Sequence, residues 1–467
     1  MFKLTKPPPM ENYALELGEL GFQLHDDGQI RSIHTDKHFD YFFTEDEVTN
    51  DRRKEAVHDA VRRLVAEELA KYDIVPVNVA GKEVGVQGKS VTLLATQLGK
   101  LSMKKDVIVV VGEAGGGGSG QDAGVWAYRS LMREGGLQKG SAVGLAEMLR
   151  KMGKEGGVEE AGMVILNPGQ LLYSHEENKA MSQTTWMARA KKTSLSAGYE
   201  VDEKYNQVEM HTTAKEHIRT VLGHILPKLL DDKARVHMLC VGESVKDTID
   251  YLDELFTTNP DDEGLTAKLQ SIVLIAPNHN HEEIQSSKLK YLLRKRGIAF
   301  VESETKPIGT LVAVPTDSKK KISVGDGSWI KVRQPSDSDT DSTIFDDDDR
   351  RDSTLDSDDP PPQTSTYTYS AGNLDHVTEL IVPECLNHIL GYIARHMSTG
   401  EDISDEMANM SLGEKKVYPD IMKPIIQAAR EQYEEEGKNG DEETIGVMLD
   451  MESLQQSPEK DGAEEKQ

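Results

Sequence analysis

From Gly21 to about Phe43 apolar and polar residues alternate. Asp26-Asp27-Gly28 supplies turn chemistry between Phe22-Gln23-Leu24 and Ile30-Arg31-Ser32-Ile33, which predicts a small N-terminal β-hairpin. The period then changes. Val57, Ala60, Val61, Leu64, Val65 and Leu69 recur at helical spacing with charges between them, so Asp51 to Tyr72 reads as a long amphipathic helix. Short continuous apolar runs follow: Val107–Val111, Met163–Leu166, Val236–Val241, Ile272–Ala276, the shorter Ile298–Val301, and a sixth at Tyr367–Tyr369. Continuous apolarity marks strands buried on both faces, and the segments at 141–152, 208–230, 246–257 and 282–296 suit crossover helices. The pattern predicts an α/β fold with a mainly parallel central sheet flanked by helices.

Charge sharpens the domain boundaries. The 467 residues carry a net charge of −27, with 37% hydrophobic and 5% aromatic residues, too polar for one compact globule throughout. Residues 335–360 hold eleven Asp against two Arg, and residues 401–467 hold nineteen acids against seven bases. The acidity therefore belongs to appendages. The expected organisation is a flexible N-terminus at 1–14 and a single domain formed by 15–334 and 363–398. A disordered acidic insertion at 335–362 and an acidic, mostly disordered tail at 399–467 complete it, the tail with a helix at 421–433. No run reaches the ~18–20 apolar residues of a membrane span, and the Pro-rich start is unlike a signal peptide, so an intracellular protein without a membrane partner is expected. Two cysteines, Cys240 and Cys385, provide no disulfide framework and too few ligands for a cysteine zinc site; buried packing is expected for both.

The chemistry-bearing motifs lie at the ends of the predicted strands. Val107–Val111 runs into a glycine-rich segment that includes Gly112, Gly115, Gly117 and Gly120. A P-loop reading lacks its lysine, and a dinucleotide reading lacks an acid after the next strand, where Asn167-Pro168-Gly169 stands; a loop at the carboxyl edge of the sheet is the simpler reading. No cofactor is expected. Farther on, Gly242-Glu243-Ser244-Val245-Lys246 follows a buried strand and precedes a helix, as a nucleophile elbow does, although Lys246 replaces the second glycine. The same turn also suits Ser244 as a helix cap. A hydrolase would need an acid and then a base later in the chain. Glu302 and Glu304 end one strand and His376 follows the last, so Ser244, His376 and Glu304, with Glu302 as the alternative acid, form the candidate triad. His279 and His281 lack a third ligand of clear spacing, so no metal is expected. Basic clusters at Arg189-Lys191-Lys192, Arg294-Lys295-Arg296 and Lys319-Lys320-Lys321 lack interleaved aromatics, and direct RNA binding is only weakly supported.

The order of these motifs resembles a known family. The strand and glycine-rich loop are followed by Gly124-Val125-Trp126-Ala127-Tyr128-Arg129, Val164-Ile165-Leu166-Asn167-Pro168, the Gly242-Glu243-Ser244 elbow and Phe300-Val301-Glu302-Ser303-Glu304 with Pro307-Ile308. Ser370-Ala371-Gly372 running to His376 closes the series. Together they are similar to the Argonaute-binding-protein-2 type domain, and Asp27-Gly28-Gln29-Ile30-Arg31 resembles the entry segment of its animal cotranscriptional-regulator branch. The likeness spans 15–398, interrupted by the insertion.

The resemblance implies an α/β-hydrolase-like fold that acts mainly by binding, as in the siRNA chaperone complex and in the C-terminal domain of fungal class II histone deacetylases. It implies a nuclear accessory protein of small-RNA silencing and heterochromatin, with Argonaute or siRNA chaperone components, or chromatin and histone proteins, as partners and with homodimers as an assembly. Gly112, Gly115, Gly242, Glu243 and Val245 would form the elbow and oxyanion loop. Glu113 would repel the charge an oxyanion develops, which favours a degenerate hydrolase over an intracellular ester or thioester hydrolase.

Overall fold

The computed structural model describes residues 13–114, 122–155, 160–189, 200–259, 264–313 and 364–399. The acidic insertion, the acidic tail, its helix at 421–433 and Gly115 of the glycine-rich loop lie outside the described residues.

The entry hairpin forms as predicted. Strands β1 (Phe22–Leu24) and β2 (Ile30–Ser32) pair antiparallel, with Gly28 at φ +78° in the turn and Asp27 Oδ1 accepting from Gln29 N at 3.0 Å. Helix α1 (Glu47–Ala70) starts four residues earlier than its apolar spacing indicated, because Asp46 caps it by accepting from Thr49 N at 3.0 Å. Its buried stripe of Val57, Val61, Val65 and Leu69 faces the core, with Leu64 partly buried beside it.

The remaining strands are β3 (Ile74–Ala80), β4 (Glu83–Val84), β5 (Val91–Thr96), β6 (Asp106–Val111), β7 (Gly162–Leu166), β8 (Leu172–Ser174), β9 (Lys179–Met181), β10 (Arg235–Val241), β11 (Leu269–Ile275), β12 (Gly297–Val301), β13 (Leu311–Ala313) and β14 (Tyr367–Ser370). Ten of them form one sheet in the order β13-β14-β12-β11-β10-β6-β7-β5-β3-β4. The central run from β7 to β14 is parallel, and the antiparallel pairs lie at the two margins.

All six predicted strands are present. The sequence pattern passed over β3, β4, β5, β13 and the small β8–β9 hairpin. Strand β3 reads Ile-Val-Pro-Val-Asn-Val-Ala, and Pro76 with Asn78 hides its character; proline is tolerated because the two-residue β4 pairs only beyond it, at Val79 and Ala80.

Among the described residues, the longer crossover or flanking helices are α2 (Ala142–Glu155), α3 (Ala214–Thr220, continuing through a π-helical turn at Val221–Ile225 into Leu226–Leu229), α4 (Ser244–Thr258), α5 (Ser287–Arg296) and α6 (Ile381–Thr399). The wide turn in α3 precedes Pro227, whose ring would clash with the carbonyl four residues back in a regular helix. Side chains alternate across each strand. Ile108 and Val110 of β6 join the core under α1, α2 and α6, while Val107, Val109 and Val111 join the core under α3, α4 and α5. Cys240 and Cys385 are free thiols in these cores, and burial pushes the Cys240 thiol up to about 12. No helix among the described residues is long and apolar enough to cross a membrane.

Packing near the entry hairpin is tight enough to test. A Cβ at Gly140 would overlap the backbone and Cβ of the buried Leu131. Gly140→Ala is expected to destabilise by about 1–3 kcal/mol, read as a lower urea midpoint; an unchanged midpoint would refute this packing.

Candidate functional site at the carboxyl ends of the parallel strands

Strand β6 sends its connection to β7 on one side, whereas β10 sends its connection to β11 on the other. Loops diverge at such a point, and a crevice opens above the strand ends. Gly112 and Glu113 leave β6 there and meet Gly242, Glu243 and Ser244 leaving β10.

The predicted nucleophile is held. Ser244 is fully buried and its Oγ donates to Gly112 O at 2.6 Å, while its own carbonyl accepts from Thr248 Oγ1 at 2.7 Å. Positive φ falls at Gly242 (+58°), Glu243 is right-handed helical at the cap position, and Ser244 begins α4. Ser244 therefore neither caps the helix nor occupies the strained turn. The cap comes from another strand: Glu113 Oε1 accepts from Glu243 N at 2.9 Å, placing a carboxylate at the positive end of α4. Val245 is buried behind the turn, with its N–H on Gly242 O at 3.1 Å. Lys246 raises no packing conflict, because its ammonium leaves the turn for Asp250 (3.3 Å) and Glu283 (3.5 Å).

The predicted acid and base come together. Glu302 Oε1 accepts from Leu374 N at 3.2 Å and His376 N at 2.7 Å, and Oε2 lies 3.6 Å from His376 Nδ1. These bonds hold a loop in which both Asp375 and His376 have positive φ. Glu304 is exposed and lies 3.9 Å from His376 Nε2, so Glu302 is the anchored carboxylate of the two. His376 itself is 81% exposed at its side chain. Among the described residues no hydrogen bond joins Ser244 to His376: Ser244 Oγ is bound to Gly112 O, and the His376 imidazole lies beside Glu302 and Glu304.

Two polar groups escaped sequence reasoning. Ser271 Oγ, His237 and Asp106 form a Ser-His-Asp line, with 2.8 Å at Nδ1 and 3.0 Å at Nε2. All three are buried at the amino half of the sheet, away from the crevice, and Arg235 also donates to Asp106 at 2.7 Å. This line ties three strands together with no access for a substrate. The second group borders the crevice. Asp122 accepts from Arg62 (2.8 Å), Tyr128 OH (2.6 Å) and Gln170 Nε2 (2.5 Å), and Gln170 accepts in turn from Asn167 Nδ2 at 2.9 Å. Gly112, Glu113, Asp122, Trp126 and Asn167 line a cavity of about 20 Å³, the size of one water. Of this network, Tyr128 and Asn167 stand in motifs that carry the family resemblance, but nothing in the sequence joins them to Arg62, Asp122 or Gln170.

The comparisons now bear on this geometry. A family model described as the Arb2 domain matches residues 13–307, more than half of the chain. The chain belongs to the Arb2 domain family. Neither the curated proteins nor the solved structures contain a match. The Arb2 match runs from the entry hairpin through β12 and includes the Gly112–Glu113 loop, the Gly242–Ser244 turn, Glu302 and Glu304, whereas β14 and His376 lie beyond it. Arb2 membership links the chain in general to Argonaute-dependent silencing.

Proposed function

We propose that this Arb2 protein is a non-catalytic accessory factor of small-RNA-directed silencing and heterochromatin formation, acting in the nucleus through contacts with Argonaute, siRNA chaperone components or chromatin proteins. The observation that carries the reading is the Arb2 match over 13–307. The elbow supports its non-catalytic part: Ser244 Oγ is buried and bound to a carbonyl, the amide after it, Val245 N, is bonded to Gly242 O, and the Glu113 carboxylate lies on the adjoining Glu243 amide, where it would repel an oxyanion. The scaffold reads as hydrolase-like. The succession β3-β5-β7-β6-β10-β11-β12-β14, with β5 antiparallel to both neighbours, supports that reading and descent from an enzyme.

Affinity purification of the tagged chain from nuclear extract is expected to recover Argonaute or a chromatin component. Recovery of neither would overturn the partner assignment.

The Glu302–His376 pair favours one competing reading, a serine hydrolase using Ser244, His376 and Glu302 or Glu304. Fluorophosphonate treatment separates the two. The wild-type chain is expected to keep its intact mass, as is Ser244→Ala, because a buried hydroxyl donating to Gly112 O is not an activated nucleophile. An adduct on wild type that Ser244→Ala abolishes would establish the hydrolase.

A further inference from the structure

In a nucleophile elbow the nucleophile sits on the strained strand-to-helix turn, with its side chain presented above the sheet. In this chain the residue with positive φ between β10 and α4 is Gly242, and Ser244 lies two residues later, inside the helix. A Cβ built on Gly242 would overlap the Glu113 carboxylate. We propose that Gly242, rather than Ser244, occupies the nucleophile position of this elbow. On this proposal Glu113 fills the space of the missing side chain while holding the amide that would receive an oxyanion. The inference rests on the non-catalytic reading and names the group whose loss produced it.

Three features converge on this assignment. The oxyanion donor of an elbow is the N–H of the residue after the nucleophile, and the N–H after Gly242 is that of Glu243, which donates to Glu113 Oε1 at 2.9 Å. The second donor of such a site comes from a loop after a neighbouring strand; here the loop after β6 supplies a carboxylate to the same spot. Finally, the acid and base stand where the chain order requires, with Glu302 after β12 and His376 after β14, 3.6 Å apart. Glu113 and Gly242 are thus a matched pair. The carboxylate gains from the positive end of α4, and it fits only where the turn residue has no side chain.

The test restores the missing group. Full-length Gly242→Ser combined with Glu113→Gly is treated with a fluorophosphonate and read by intact mass, next to wild type and each single variant. The introduced hydroxyl oxygen attacks phosphorus, the P–O bond forms as the P–F bond breaks, fluoride leaves, and the hydroxyl proton passes to the His376 imidazole. One adduct is expected on the double variant. It is expected to persist when Ser244→Ala is added and to form at least tenfold more slowly when His376→Ala is added. A folded double variant without an adduct, or with its adduct on Ser244, overturns the proposal.

A second measurement does not depend on activity. Gly242→Ala alone is expected to lower the melting temperature, and adding Glu113→Gly is expected to recover part of that loss, because the overlapping carboxylate is gone while the strain of a side chain at φ +58° remains. An equal loss with and without Glu113, or a double variant that is less stable than the two singles predict, overturns the proposal as well. Failure to recover Argonaute or chromatin partners leaves this result untouched, whereas an adduct on wild-type Ser244 strikes the non-catalytic reading and this proposal with it.

Discussion

Arg62→Ala is expected to lower the unfolding free energy by about 3–5 kcal/mol, the cost of removing one partner from a buried ion pair. Arg62 lies on α1 with its side chain 13% exposed, donating to Asp122 Oδ2 at 2.8 Å and to Asp59 Oδ1 at 3.0 Å. Burial works against its charge, but Tyr128, Asp122, Asp59 and Glu55 outweigh burial and hold its pKa well above the ordinary arginine value. Asp59 keeps Lys179 and Arg63 if Arg62 is removed. Among the described residues Asp122 does not keep a cation; it retains Tyr128 and Gln170, and a carboxylate 7% exposed is then left without an opposite charge there. Because Gln170 passes the network on to Asn167, the loss is expected to loosen the crevice as well as α1. Urea unfolding of Arg62→Ala beside Arg62→Lys reads both effects. A loss below about 1 kcal/mol in the alanine variant would show that the pair is not buried as described.

Acid should destabilise the fold before its carboxylates titrate. Burial holds His396, 1% exposed, at a pKa of about 4, and it also lowers His237, where the pull of Asp106 only partly offsets burial. In the unfolded chain each titrates near 6.5. Between about pH 6.5 and pH 4 the unfolded state therefore binds more protons than the folded state. The stability is fully present above the unfolded pKa and is lost as pH falls. For His396 alone the loss by pH 5 is about 2 kcal/mol, and His237 adds to it in the same direction. His396→Phe is expected to flatten the stability profile between pH 7 and pH 5 relative to wild type. Parallel profiles would mean that His396 is solvated in the folded state.

Legibility followed continuous apolarity rather than burial alone, since β5 (Val91–Thr96) is almost wholly buried and was still passed over, with Thr92 and Thr96 interrupting its run. The continuous apolar runs Val107–Val111 and Met163–Leu166 announced strands, since a strand covered on both faces has no polar positions to confuse its period. The α1 stripe and the β1–β2 turn were equally plain. Strand β3, exposed at Pro76 and Asn78, was not, because these two residues break its apolar run and both are depleted in strands. At the site, the sequence marked the right segments and misled within one of them. Gly242-Glu243-Ser244 reads as an elbow centred on serine, and the centre of a turn is a matter of backbone angles that residue names do not encode. Likewise, Glu113 looked like a residue beside an oxyanion pocket; that its carboxylate lies against Gly242 and accepts from Glu243 N depends on β6 and β10 being neighbours.

The sequence by itself determined the α/β class, the order of the buried strands and their crossovers, the acidic character of the appendages and the resemblance to the Arb2 family. All of these are written in local periodicity, local composition and motif order. Tertiary structure alone decided that Glu302 rather than Glu304 anchors the His376 loop, that Ser244 spends its hydroxyl on Gly112, and that Arg62, Asp122 and Tyr128 meet beneath the crevice. Apart from Tyr128 and Asp122, which are six positions apart, those contacts join residues 60 to 132 positions apart, and only the pairing of strands and the packing of helices across the sheet brings such distant side chains within hydrogen-bond reach.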